Sequence, residues 1–399
     1  MDLSDIKPTI SIVRIVLYFY PFAGGCSNHV RELSEKINPY LKNQIIIAPD
    51  VGSISKEFDR TYPIPIIRVK SPYIKKRFGI PVAPLNNLLY IFNVYKVLKK
   101  IERPDIIHAH GIGPVAFGSI IGKFLKVPVV GMLHGSTEAY SRMSGLFESL
   151  LAILFKPDHA LILDDGSPAP QKFSRLWRGC TSVVYHGIDA QFFKPCPQNS
   201  DLRQRLGFKK SDFLVLSTSS LIAVKNLDLA IEAFAKLLEG GVSDERSAYL
   251  IFAGDGELKE PLIKLAKLKS TIEHVKFIGT ITPDKIKEYL SIANVVVGTS
   301  LYSNMNRSIQ EAMSAEVAIV AFNSGRLDRL IDNGYDGLLA KPGDISDFTD
   351  KLKMLYENPE LRRTIGTNAR KTIISTRSWN SRIEHELSIY NQLIMKDDK

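Results

Sequence analysis

The stretch SLYSNMNRSIQEAMSAEVAIVAF, residues 300–322, reads as a polar loop, a helix and a buried strand in succession. A strand without polar alternation, reached through a helix, belongs to a parallel sheet with helices on both faces. Glu311 lies in the helical part, flanked by Ala312 and Met313. That places it beside core positions, and a half-buried carboxylate needs partners. Ribose hydroxyls would supply donors, and so would a local cap or ion pair.

The same alternation runs outward in both directions. Toward the N-terminus, IVRIVLYFY (12–20), QIIIAPD (44–50), PDIIHAHG (104–111), VPVVGMLHG (127–135), HALILDD (159–165) and TSVVYHGID (181–189) are apolar runs that end in turn residues. Between them HVRELSEKI puts Val30, Leu33 and Ile37 on one helical face, residues 113–124 form a second helix, and 71–103 hold a basic region with a long one. IDAQFFKPCPQNSDLR (188–203) is polar with two prolines and breaks the pattern. It restarts with DFLVLSTSS (212–220), a helix from Leu227, AYLIFAGDG (248–256), KFIGT (276–280), ANVVVGTS (293–300) and DGLLAKPGD (336–344), and closes with helices over 345–374 and 378–395. The expected fold class is α/β, with two doubly wound Rossmann-like domains: residues 1–190, a linker at 191–204, and residues 205–375.

Length and composition agree with this. A chain of 399 residues exceeds one ordinary core. Its 45% hydrophobic and 24% charged residues are those of a soluble globular protein. Cys26, Cys180 and Cys196 show no metal spacing and cannot all pair, which fits a reducing cytoplasm. Asp2, Asp5, Ser11 and Arg14 interrupt any signal-peptide pattern, and no 18-residue apolar window offers a membrane span. Of the net charge of +10, most sits in residues 1–200, where 24 Lys and Arg face 15 Asp and Glu. That asymmetry suits an anionic partner, and a lysine-rich surface without one gives the same count. No nucleic-acid-binding motif is present, so no nucleic-acid partner is expected.

In open parallel sheets ligands bind beyond the carboxyl ends of the strands, where helix N-termini suit phosphates. Four such ends stand out. Gly24 and Gly25 follow the first strand and allow close backbone approach. His108, His110 and His134 end two later strands, without the acidic or Cys neighbours a metal site needs, so no metal is expected. Lys225, in SSLIAVKN (219–226), lies near a helix N-terminus where a cation is unfavourable unless an anion binds there. Glu311 is the fourth.

These same strand ends resemble glycosyltransferase family 4, a group with the GT-B fold of two facing domains. The likeness runs from YPFAGGCSNHVRELSEKI through DIIHAHG, VVGMLHG, VVYHGIDAQFFKP, LDLAIEAFAKL, LIFAGDGE and SIANVVVGTSLYSNMNRSIQEAMSAEVAIVAF to NGYDGLLAKPGD. It implies a retaining transfer from a nucleotide-diphosphate sugar of UDP or GDP type, with no cofactor and no metal. The second domain would hold the donor and the first the acceptor. A final helix over 376–399, begun near Trp379, would return to the first domain. Gly24 and Gly25 match the family's glycine loop, His134 the histidine facing the donor sugar, and Lys225 the lysine on the diphosphate. Gly254 and Asp255 match a loop near the base, and Glu311 the second glutamate of an E-x7-E motif that binds ribose.

The departures are specific. Ser303 stands where the first motif glutamate belongs, Ser220 where a phosphate-binding arginine is expected, and His186 replaces the asparagine of N-G-V-D. A lost cationic phosphate contact is worth about 1.5–3 kcal/mol, and Arg307 or Arg326 is expected to replace it from a neighbouring loop. An inactive GT-B protein that binds nucleotide or glycan as a regulatory partner is the alternative the two serines support. Lys75, Lys76 and Arg77 beside Tyr73, Ile74 and Phe78 suggest peripheral binding to the inner face of a cell membrane and a glycan or lipid-linked acceptor.

Overall fold

Thirteen strands, β1 (Ser11–Val16), β2 (Asn43–Pro49), β3 (Ile66–Val69), β4 (Ile106–His110), β5 (Val129–Leu133), β6 (His159–Leu163), β7 (Thr181–Val184), β8 (Phe213–Ser217), β9 (Ala248–Phe252), β10 (Val275–Phe277), β11 (Val295–Gly298), β12 (Ala318–Phe322) and β13 (Leu338–Ala340), form two sheets among the described residues. In this computed structural model those are residues 7–17, 19–20, 25–70, 83–134, 150, 154–164, 169–242, 246–303 and 307–397. The chain divides into two compact units. One comprises Met1–Asp164, Pro168–Gly187 and Arg382–Lys399, and the other Asp165–Ser167 and Ile188–Ser381.

The first unit carries a seven-stranded sheet in the order β3-β2-β1-β4-β5-β6-β7, the second a six-stranded sheet in the order β10-β9-β8-β11-β12-β13. Every strand pairing is parallel. Both are therefore Rossmann-like α/β sheets, and strand order reverses once in each, beside β1 and β4 in the first and beside β8 and β11 in the second. The apolar runs explain the strands: β5, β8, β11 and β12 are buried at every position, as strands covered on both faces must be. The helix Ala83–Leu98 covers one face of the first sheet, where the buried Tyr90 hydroxyl donates to the carbonyls of Val16 and Ile47. In the segment 188–203, Ser200–Arg205 is a short helix, capped by the Asn199 side chain accepting from the Leu202 amide.

One face of the first sheet is polar at its centre. Arg14 on β1 pairs in register with His108 on β4, and its side chain has no solvent exposure. A residue of this kind is almost never sealed in unless it is paired. Its Nε donates to Gln44 Oε1 (2.6 Å), and its Nη1 reaches His108 Nδ1 (2.9 Å) and His110 Nε2 (3.1 Å). Residues 382, 386 and 390 of the helix Trp379–Asp397 are spaced at one turn and complete the cluster. Glu386 Oε2 lies 3.9 Å from Arg14 Nη2 and 3.0 Å from the Tyr390 hydroxyl, and Glu386 Oε1 pairs with Arg382 Nη2. Tyr390 also lies 2.6 Å from His108 Nδ1. Two guanidinium groups thus share one carboxylate in a space closed to water.

Removing one partner of a buried ion pair costs about 3–5 kcal/mol, because the remaining charge stays desolvated. Glu386→Gln should lower the unfolding free energy of the full chain by about that amount, measured by urea denaturation; a loss below about 1 kcal/mol would contradict this account. Burial, joined by neighbouring imidazoles and guanidinium groups, holds His29, His108 and His110 well below the usual histidine range, and burial with His186 and Arg382 pushes His134 down to about 3. Unfolded, these rings take up protons near the ordinary histidine value of about 6.5; folded, they do not. The unfolded state therefore binds more protons below that pH, and the stability they contribute is lost as the pH falls through it. The urea midpoint should drop between pH 7.5 and pH 5.5, an interval above the ordinary carboxylate range. A flat or rising midpoint would contradict the neutral cluster.

Candidate functional site

The second unit concentrates the candidate residues at its switch point. β8 leads into a turn, residues 218–222, then the 3-10 turn Ala223–Lys225 and the helix Leu227–Glu239. Asn226, left-handed at φ 49, makes the entry into that helix. The loop after β11 is fastened to this turn: Thr299 Oγ1 donates to the Lys225 carbonyl (2.9 Å), Ser300 Oγ to the Val224 carbonyl (2.8 Å), and Asn226 Oδ1 accepts from the Leu301 amide (3.1 Å). A third loop follows β9. There a Cβ on Gly254 would sit 2.1 Å from the Ser219 carbonyl oxygen, so only glycine fits, and the Leu221 amide donates to the Asp255 carbonyl (3.0 Å). Ser220, Lys225, Gly254 and Asp255 thus stand on interlocked loops at the carboxyl edge of the sheet.

Lys225 is half-buried, with no acidic partner among the described residues, and burial lowers its ammonium below the usual lysine value. A cation desolvated at a helix entrance is a site prepared for an anion. Ser303 packs against Gly325: a Cβ there would lie 2.5 Å from the Ser303 Cβ. Gly325 and Arg326 both take positive φ, +56 and +62, and this turn carries Arg326 to where its Nη1 is buried without a hydrogen-bond partner. Glu311, only 6% exposed, accepts from Arg307 Nε at 2.9 Å across one helical turn of Arg307–Ser314. Of the two arginines considered as replacements at position 220, Arg307 is engaged with Glu311, while Arg326 has an open donor.

In the first unit His134 follows β5 and His110 ends β4. The rings of His108 and His110 are stacked 4.4 Å apart, as their alternation on one strand predicts. Both rings bond to side chains. His110 Nδ1 lies 3.3 Å from His134 Nε2, and the His29 and His134 rings meet edge to face at 5.1 Å. His29 Nδ1 is 2.8 Å from His186 Nδ1, so the departure at 186 joins the cluster. Among the described residues no three or more His, Cys, Asp or Glu side chains are arranged so that they could hold a metal ion. Gly25 opens the helix Gly25–Ile37; Gly24 lies outside the described residues, as does the basic cluster Lys75–Arg77.

Sequence reading missed Arg14, Glu386, Arg382, Tyr390 and His29. Arg14 carried a signal, a charge inside an otherwise apolar strand, but it was read only as an interruption. The i, i+4, i+8 stripe on the last helix becomes meaningful only once its partner strand is known.

Comparisons with known proteins agree with this architecture. Residues 23–163 match the profile described as Glycosyltransferase Family 4, and residues 198–372 the profile described as Glycosyl transferases group 1. The sulfoquinovosyl transferase of Arabidopsis thaliana is 26% identical over 392 residues, covering 90% of this chain and 69% of that protein. The Escherichia coli UDP-Gal:alpha-D-GlcNAc-diphosphoundecaprenol alpha-1,3-galactosyltransferase is 24% identical over 330 residues, 79% of this chain and 82% of that one. Among solved structures, Anabaena HepE in complex with UDP superposes with a TM-score of 0.74 at 23% identity, covering 95% of this chain and 100% of that chain. Sucrose-phosphate synthase from Thermosynechococcus elongatus gives 0.71 at 19% identity, covering 97% and 100%. Two parallel-sheet units, candidate residues gathered at their switch points and matched profiles over most of the sequence identify the chain as a member of glycosyltransferase family 4 with the GT-B fold.

Proposed function

We propose that the protein transfers a sugar from a nucleoside-diphosphate sugar to a glycan or lipid-linked acceptor, with retention of configuration. The observation that carries this reading is a pair of cations on loops at the carboxyl edge of one sheet, Lys225 desolvated below its usual pKa and Arg326 with a buried Nη1 that has no hydrogen-bond partner among the described residues. Both suit the diphosphate, and they stand on loops that sequence order brings to the nucleotide-binding edge of a Rossmann-like sheet. Support comes from HepE, solved with UDP and with UDP-glucose, and from the Escherichia coli relative, whose name specifies a UDP-sugar and a lipid diphosphate.

In this reading Lys225, Arg326 and the Leu227–Glu239 helix entrance stabilise charge as the bond from the sugar C1 to the phosphate oxygen breaks, the kind of stabilisation that dominates most catalysis. The acceptor oxygen forms the new bond to C1 on the same face, and its proton passes to the departing phosphate. No carboxylate pair of the glycosidase type is then required. Glu311, oriented by Arg307, takes the ribose hydroxyls, and the Gly254–Asp255 loop lies against the base. Ser220 and Ser303 are accommodated: Arg326 supplies the charge missing at 220, and Ser303 is small enough to sit against Gly325. The donor is substrate, and no cofactor or metal is assigned.

The acceptor side rests on the first unit. On the helix Ala83–Leu98, Phe92 and Leu89 are exposed and the Lys96 ammonium lies 4.3 Å over the Phe92 ring. A basic and aromatic face of this kind suits an anionic lipid surface, at which the protein would work from the cytoplasmic side. No helix among the described residues is long and apolar enough to cross a membrane.

Arg326→Ala and Lys225→Ala should each weaken UDP or GDP binding by roughly tenfold or more, one charge-assisted contact each, measured by calorimetry. Affinity unchanged in both for every nucleoside diphosphate tested would overturn the assignment. Product analysis by NMR with a panel of UDP- and GDP-sugars should show the donor's anomeric configuration retained; inversion would refute the mechanism, and absence of any transfer with intact binding would favour the regulatory alternative. Phe92→Ser should reduce flotation with phosphatidylglycerol vesicles at low salt; equal flotation of wild type and variant would remove the membrane face.

A further inference from the structure

A guanidinium has only donors to offer. This fixes the direction of every hydrogen bond around Arg14. Both protons on its Nη1 are spent, one on His108 Nδ1 (2.9 Å) and one on His110 Nε2 (3.1 Å). His110 Nε2 must therefore present its lone pair. In a neutral imidazole the other nitrogen then carries the proton, so His110 Nδ1–H donates to His134 Nε2, 3.3 Å away. His134 Nε2 is thereby an acceptor, and the proton of His134 lies on Nδ1. That atom is buried and has no hydrogen-bond partner among the described residues. The same reasoning puts the His108 proton on Nε2, which is also buried and unpartnered and lies off the chain that ends at His134.

We infer that Arg14 and His110 are positioning residues that fix the tautomer of His134, so that the end of β5 presents a neutral Nδ1–H donor to an oxygen of the bound sugar substrate. The last clause rests on the proposed transferase reading; the tautomer itself does not. The role assigned is that of a hydrogen-bond donor and excludes a general base, because the only lone pair of His134 is occupied by His110. The groups around His134 reinforce the neutral form. His110 faces it from β4, His29 from the helix Gly25–Ile37, His186 from beyond β7 and Arg382 from the last helix, and no carboxylate among the described residues is named among its electrostatic neighbours. The ring is desolvated and surrounded by rings and a cation, all of which oppose a second proton. A fixed donor is available without reorganisation when substrate binds, which is the advantage of a preorganised site.

The test uses the full chain, labelled with 15N in the histidine rings, in long-range proton–nitrogen correlation spectra without substrate. His134 is assigned by the signal lost in His134→Gln. The expected result is the Nδ1–H neutral form, constant from pH 5.5 to pH 8. An Nε2–H form, or an imidazolium in that range, overturns the inference. His110→Phe keeps a flat ring but cannot donate; it should shift His134 toward the Nε2–H form and lower kcat by roughly tenfold, one hydrogen bond's worth, with KM for the nucleotide sugar little changed. His110→Gln retains an N–H donor and should restore both the tautomer and the rate to within about threefold. A folded His110→Phe with the wild-type tautomer overturns the inference, and if that variant does not fold, the wild-type spectrum decides it. The failure of the transferase reading would look different: the expected tautomer with no turnover of any nucleotide sugar.

Discussion

A guanidinium closed off inside a sheet must place its five protons on neighbours, and those neighbours must have lone pairs to give. Arg14 places three of them on one amide oxygen and two imidazoles, and its Nη2 faces the Glu386 carboxylate at 3.9 Å as an ion pair. The choice of imidazoles has consequences that carbonyl groups would not bring. Arg203, buried in the second unit, spends its Nη protons on the backbone carbonyls of Lys209, Lys210, Asp212 and Ile292 and on the Asn294 side chain, and the result is a pinned loop. Arg14 instead dictates where protons lie on rings that end at the carboxyl edge of β4 and β5. The same electrostatic demand thus serves packing in one unit and prepares chemistry in the other.

The two units ready their edges in opposite ways. The first assembles four histidines held without charge by burial and by neighbouring imidazoles and guanidinium groups, with His186 against His29. The second sets Lys225 and Arg326 without acidic partners among the described residues, near loops whose glycines tolerate no side chain. Neutral donors suit hydroxyl-bearing groups, and desolvated cations suit phosphates.

The fold was legible because parallel strands covered on both faces leave continuous apolar runs, and the runs 104–111, 127–135, 212–220, 293–300 and 316–322 each contain a strand. Lys225 and Glu311 were legible because each sits wrongly for a solvated residue, one at a helix entrance and the other among core positions. Arg326 came into view only as one of two arginines on neighbouring loops able to replace the missing one; its left-handed backbone and buried Nη1 are properties of a turn that no residue pattern announces. The Arg14 cluster was illegible for a different reason. Its members lie at 14, 44, 108, 110, 382, 386 and 390, and no local periodicity joins positions that only the sheet order and the final helix bring together.

That wide spacing governs how the protein can be made. Ribosomes deliver the chain in order, and N-terminal domains ordinarily fold while the rest is still being synthesised. Here Arg14 and its histidines emerge long before Glu386, which supplies the only carboxylate the described residues place against the guanidinium. Until that final helix appears, the nascent first unit holds a charge its core cannot balance, so it must wait, open or loosely packed, while the whole second unit is translated and free to fold. The ends of the chain are sewn together last, and a fragment cut at the boundary near residue 187 would carry the sheet but not the stitch.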